Sequence, residues 1–298
     1  MTVVNGFPLS KAGLGRAIAA ATAAIACMIP WPVAAIDTIP FTEVNGGLIQ
    51  VQGSVDGESP VSMLVDLGAG VDVLSTTIGR RLVVVKGKYV SLRLTGERVD
   101  LPIGTIVSLA LNGVHVDAPH VGIWNGLDGM GVAGLISATA FRDITTTFDF
   151  RNHQIIIEDA QSFPERTRTA IRLPLMLQDD LGIALGVFAR FDFGNGKTGL
   201  CEIDTGSQGI MIDKSLAPSL GVNLNDPGLE HVRAATGDQV KARISTIGLE
   251  GAPETNITQP SVTFANLIYD CNVGNAFWAG RVFTLDLQKR WLYFATAG

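Results

Sequence analysis

The chain has 298 residues, 47% hydrophobic and only 17% charged, enough to bury one large core or two ordinary ones. Its net charge of -6 comes without a clustered basic face, which argues against a nucleic-acid partner. His115, His120, His153 and His231 are scattered, and no Cys or His pair has ligand spacing, so no metal or other cofactor is implied.

The N-terminus reads as an export signal covering residues 1–35. Lys11 and Arg16 precede an apolar run, and Val33-Ala34-Ala35 supplies small residues for cleavage. The run is short and alanine-rich, so a spanning helix is disfavoured. The expected location is therefore periplasmic or secreted, with no membrane span left after processing. Two alternatives stay open: an uncleaved anchor, and lipidation at Cys27, which lacks the usual upstream leucine. Removing the signal leaves Cys201 and Cys271, which an oxidising compartment would permit to pair.

Downstream, alternating Ile/Val/Leu runs separated by Gly and Asn/Asp turns predict strands. Asp56-Gly57 suits a two-residue hairpin turn. Ser62-Met63-Leu64-Val65 is an apolar run ending in Asp66-Leu67-Gly68-Ala69, which carries a carboxylate from a buried strand into a tight turn. A short helix is predicted over 76–82, a Thr95-Gly96 turn follows, and Gly134-Leu135-Ile136-Ser137 leads into a helix over 138–142. A strand pair, 147–150 with 154–157, closes this half.

The same landmarks then recur in order. Asn195-Gly196 precedes Leu200-Cys201-Glu202-Ile203-Asp204-Thr205-Gly206-Ser207, and a helix is predicted over 214–220. Thr236-Gly237, Cys271-Asn272-Val273-Gly274, a helix over 275–279 and the strand pair 284–287 with 291–294 complete the copy. Ser137 and Gly274 follow their aspartates by 71 and 70 residues, and Asp149 and Asp286 by 83 and 82. Offsets kept this closely mark a duplication. The expectation is an all-β, bilobal chain with a cleft: an N-terminal lobe at 36–160, a polar linker at 161–172 and a C-terminal lobe at 173–298.

On these residues the chain resembles the retropepsin-like and pepsin-like aspartic proteases, most of all the bacterial exported type with two retropepsin-like repeats. The resemblance implies an acid-protease-like fold and an Asp66/Asp204 dyad that activates water to hydrolyse a peptide bond. It also implies loops supported by Gly68, Ala69, Thr205, Gly206 and Ser207, and hairpin flaps tipped by Thr95-Gly96 and Thr236-Gly237. The partner would be a peptide or protein substrate. A monomer supplies both aspartates, and a homodimer of second lobes stays open. The strands carrying Cys201 and Cys271 are neighbours in such a fold, so a disulfide is one alternative and two buried thiols are the default.

The first lobe departs from the pattern twice. Leu67 stands where the family has Thr or Ser, which removes half of a crossed hydrogen-bond grip between the loops. Ser137 stands where Gly is expected, and its side chain needs space. A catalytically impaired, peptide-binding or scaffold protein therefore stays open beside the endopeptidase. Asp72 and Asp213 are expected to end strands at the surface. Asp149 and Asp286 are expected to face solvent or a turn, and Trp124, Trp278 and Trp291 to be core or groove aromatics.

Overall fold

A computed structural model describes residues 37–234 and 237–296. The expected signal segment with Cys27, and Thr236 of the second turn, lie outside the described residues. The described residues form one compact unit.

The duplication is visible in the hydrogen-bonding order of two ten-stranded sheets, each a path of nine strands with a tenth, Thr42–Val44 in one and Met176–Asp180 in the other, paired off it. In the first sheet the hairpin Val84–Leu92/Arg98–Thr105 is followed by Val121–Ile123, Asp72–Leu74, Gly134–Ile136, Val61–Val65, Leu48–Val55, Leu109–Leu111 and Val114–Val116. In the second, Glu230–Ala234/Gly237–Arg243 is followed by Ser261–Ala265, Ile210–Asp213, Cys271–Val273, Thr198–Ile203, Ala184–Asp192, Thr246–Leu249 and Ile257–Thr258. The two orders match element by element. Each lobe thus forms the all-β unit that the alternating pattern predicts.

The lobes share a third sheet of six strands, in which Thr146–Asp149 of the first half pairs antiparallel with Val282–Asp286 of the second. Phe148 lies opposite Phe283, their rings stacked at 5.2 Å, and one continuous core runs through both lobes. The segment expected as a linker is not bare coil. It holds the helix Ser162–Thr167 and enters the strand Ile171–Pro174, which pairs with Trp291–Phe294 at this sheet's edge.

Local chemistry explains the turns. Asp56 and Gly57 take φ of 52° and 74°, and Asn195 and Gly196 take 53° and 70°, the left-handed pair a two-residue hairpin needs. The predicted helices form at Thr76–Leu82, Ala138–Phe141, Lys214–Leu220 and Asn275–Trp278, all short, the second and third of them 3-10.

Asp72 differs from expectation, whereas Asp149 and Asp286 serve turns as expected. Asp72 is buried rather than exposed, because Ser137 and Thr139 satisfy its carboxylate. Asp149 and Asp286 do serve turns, accepting from the Arg151 and Lys289 N–H groups, but both are buried. Asp213 remains partly exposed, capping the helix Lys214–Leu220 through the Ser215 N–H. Trp278 is a core residue, whereas Trp124 and Trp291 are half-buried under Arg93 and Arg172.

Candidate active site

The strand Val61–Val65 delivers Asp66, and the strand Thr198–Ile203 delivers Asp204. Each is held between an antiparallel neighbour and a parallel one, which leaves its end little freedom to move. The parallel neighbours also fix the aspartate backbones: Asp66 N–H donates to Ile136 O at 2.8 Å and Asp204 N–H to Val273 O at 3.1 Å. The chain then turns sharply. Gly68 N–H donates to Asp66 Oδ1 at 3.0 Å, and Gly206 N–H to Asp204 Oδ1 at 2.8 Å.

These turns bring the two carboxyl groups together. A Cβ on Gly68 would lie 2.6 Å from Asp204 Cγ, and a Cβ on Gly206 would overlap the Asp66 carboxyl. Each glycine therefore leaves room for the carboxyl of the opposite loop. Burial, the adjacent Asp204 charge and a hydrogen bond with Asp204 hold Asp66 well above the usual carboxylate range. Both aspartates remain half-buried rather than enclosed.

One side chain clamps the loops together. Thr205 Oγ1 donates to Val65 O at 2.8 Å and accepts from Leu67 N–H at 3.0 Å. Its own carbonyl accepts from Asn275 Nδ2 at 2.7 Å. Leu67 cannot reciprocate; its side chain is fully buried in the core, contributing apolar burial where a hydroxyl would reach across. Ala69 and Ser207 enter through their backbones, donating to Asp66 O and Asp204 O, and Ser207 O also accepts from Asn275 N–H.

The second departure also has a physical account. Gly274 N–H donates to Gly209 O, and a Cβ there would run into the backbone carbonyls of Gly209 and Ser207. In the first lobe Ser137 N–H donates instead to Asp72 Oδ1 at 2.6 Å, and its hydroxyl donates to the same oxygen at 3.0 Å. A buried carboxylate thus replaces the backbone acceptor, and the serine side chain serves that carboxylate.

The hairpin Val84–Leu92/Arg98–Thr105 carries Thr95 and Gly96 at its tip, Gly96 with φ of 84°. Leu94 O accepts from Ile268 N–H of the other lobe at 3.0 Å, so this tip reaches across the cleft. Gly237 begins the returning strand of the second hairpin, with φ of 109°.

Sequence reasoning missed two polar residues beside Asp204. Asn272 Nδ2 donates to Asp204 Oδ2 at 2.6 Å and to Glu202 Oε2 at 3.3 Å. Glu202 is buried, and that burial together with the Asp204 charge pushes its carboxyl up to about 8. The strand's period of two was the available signal, because residue 202 shares a face with residue 204. Cys201 and Cys271, one position away in register, form a disulfide joining the two strands that carry these groups. Buried thiols, the default expectation, are thereby replaced. Reduction should destabilise the chain by about 2–4 kcal/mol, read as a lower melting temperature in reductant; an unchanged value would contradict this.

Asp66, Asp72 and Glu202 all favour the protonated form in the folded chain, chiefly through burial, with Asp72 at about 6 and Glu202 at about 8. The folded state therefore holds protons that the unfolded chain releases near pH 4. Stability from these groups is fully present below that range and falls as pH rises to about 8. Calorimetry against pH should show the melting temperature declining across this window, and Glu202→Gln should flatten its upper part.

No family model matches the sequence, and no curated protein matches it. Among solved structures the chain is similar to basic 7S globulin from soybean, with a TM-score of 0.52 at 12% identity. The likeness covers 88% of this chain and 96% of that one, and it supports a pepsin-like fold.

Proposed function

We propose that the protein is an aspartic-type endopeptidase, of the exported two-repeat kind, in which Asp66 and Asp204 activate a water to hydrolyse a peptide bond. The observation that supports this most is the close approach of the two carboxyls, each lying against the glycine of the opposite loop. Two carboxyls this close do not both ionise, so the pair holds one proton, as in the aspartic proteases that are the standard case of coupled carboxyls. The ionised member takes a proton from the water, and the protonated member donates to the scissile carbonyl oxygen. Water attacks the carbonyl carbon directly, without a covalent enzyme intermediate. Both aspartates come from one chain, so a monomer suffices. The first hairpin supplies a cover under which an extended peptide would lie.

A second reading rests on Leu67: with one hydroxyl missing from the loop grip, the cleft binds peptides and cuts them poorly. Digestion of a denatured protein mixture from acid to neutral pH separates the two. Wild type should cleave, and Asp66→Asn and Asp204→Asn should each lose roughly 10²–10⁴-fold in rate. Cleavage surviving both substitutions would remove the dyad. Absence of cleavage by folded wild type would favour the binding reading, and loss in Asp204→Asn alone would favour a second-lobe homodimer.

A further inference from the structure

The two aspartates are not equivalently supported. Asn272 sits opposite Glu202 in the parallel pairing of Cys271–Val273 with Thr198–Ile203, and its Nδ2 reaches both Glu202 Oε2 and Asp204 Oδ2. The amide orientation follows from chemistry: an ionised Asp204 oxygen can only accept, so the nitrogen must face it. In the first lobe the same register positions are Leu64 and Leu135, which offer no polar atom. Asp204 therefore accepts one bond on each oxygen, from Gly206 N–H and from Asn272, whereas Asp66 accepts from Gly68 N–H. A donor aimed at a carboxylate favours its charged form.

We propose that Asn272 breaks the symmetry of the dyad, placing the shared proton on Asp66 and keeping Asp204 as the ionised member that accepts the proton of the attacking water. This rests on the peptidase reading above. In the first step a water O–H bond breaks and its proton goes to Asp204. The water oxygen bonds the carbonyl carbon, and Asp66 gives its proton to the carbonyl oxygen. In the second step Asp204 passes its proton to the amide nitrogen as the C–N bond breaks, and a hydroxyl proton returns to Asp66. The pair ends with the one proton it began with.

Glu202 is a positioning residue in this arrangement, sharing the Asn272 amide. Neutral at acid pH, it anchors the amide without setting a second charge beside Asp204. The ionisable groups that interact with this cluster are Asp66, Asp204, Glu202 and Tyr269, whose phenol is raised by burial and by Glu202. Phe188, opposite Glu202 in register, packs edge-on to Tyr269 at 4.8 Å and supplies apolar cover.

Nuclear magnetic resonance titration of isotope-labelled aspartate carboxyl carbons tests this directly, with Asp66→Asn and Asp204→Asn assigning the two resonances. In wild type the Asp204 carbon should move in the more acidic step and the Asp66 carbon in the later one. Asn272→Leu should raise the midpoint of the acidic step by about one pH unit, about tenfold in proton affinity. The double variant Glu202→Leu/Asn272→Leu reproduces the apolar pair of the first lobe and should show the same rise, which guards against misfolding of the single variant. Asp66 moving first, or a midpoint unchanged in both variants, would overturn the proposal. Peptide cleavage measured on the same samples keeps the two readings apart. The expected order and shift without cleavage would uphold the proton placement and refute the peptidase reading. Cleavage with unshifted midpoints would refute the placement alone.

Discussion

Gly206→Ala should lower cleavage at least about 100-fold in a protein that still folds. The added Cβ would occupy the place of the Asp66 carboxyl, and Gly206 has an ordinary φ, so backbone strain is not the cause. The carboxyl must move or the loops must part, and displacement of a reacting group by about 1 Å costs on the order of 10²-fold in rate. Gly68→Ala should act likewise, since its Cβ would meet Asp204 Cγ at 2.6 Å. Gly209→Ala is the control: it lies in the same second-lobe loop, and its Cβ meets nothing within 4 Å. Near-normal rates in Gly206→Ala would mean that the loops do not approach as described.

Thr205→Val should lower both stability and rate. Valine keeps the shape and removes one donor and one acceptor from a buried position. The Val65 carbonyl and the Leu67 N–H then lose their partner across the cleft. Leaving two buried backbone groups unsatisfied costs about 2–6 kcal/mol in total. Denaturant unfolding should show that loss, and cleavage should fall by roughly 10–100-fold as the loops slacken. Thr205→Ser should restore most of both. Because Leu67 contributes no hydroxyl, the reciprocal side-chain bond is missing, so this chain should depend on Thr205 more heavily than a symmetric pair of loops would.

Much of this site was legible because it is written in local patterns. The repeated run ending in Asp-x-Gly, the Asp-Gly and Asn-Gly turns and the matched offsets each name a backbone conformation that few residues can adopt. They located Asp66, Asp204, both hairpins and the short helices. What was not legible depends on partners distant in sequence. Asp72 looks like a surface strand end until Ser137 and Thr139, more than sixty residues on, turn their donors to it. Asp149 and Asp286 are buried because the third sheet draws strands from both halves, which no single half encodes. Glu202 and Asn272 escaped notice because each alone is an ordinary polar residue in a strand. Only their pairing in parallel register beside Asp204 gives them a role.

The Ser137 substitution shows the same limit from the other side. Read singly, it is a side chain in place of a glycine. In the fold it comes with Asp72, and the two together replace the carbonyl contact that Gly274 makes in the second lobe. Departures from a repeat are therefore best judged in pairs across the sheet. By that standard the first lobe is rewired at Asp72 and Ser137, yet the Asp66 N–H still donates to Ile136 O and the Asp66 carboxylate still accepts from Gly68 N–H.

Neutron diffraction from crystals at acidic pH is the most direct test, because it locates both the carboxyl oxygens and the proton between them. The expected result is an oxygen of Asp66 within about 3 Å of one of Asp204, with a single exchangeable hydrogen on the pair. Two carboxyl groups held apart by several layers of water, each with its own protonation, would contradict it.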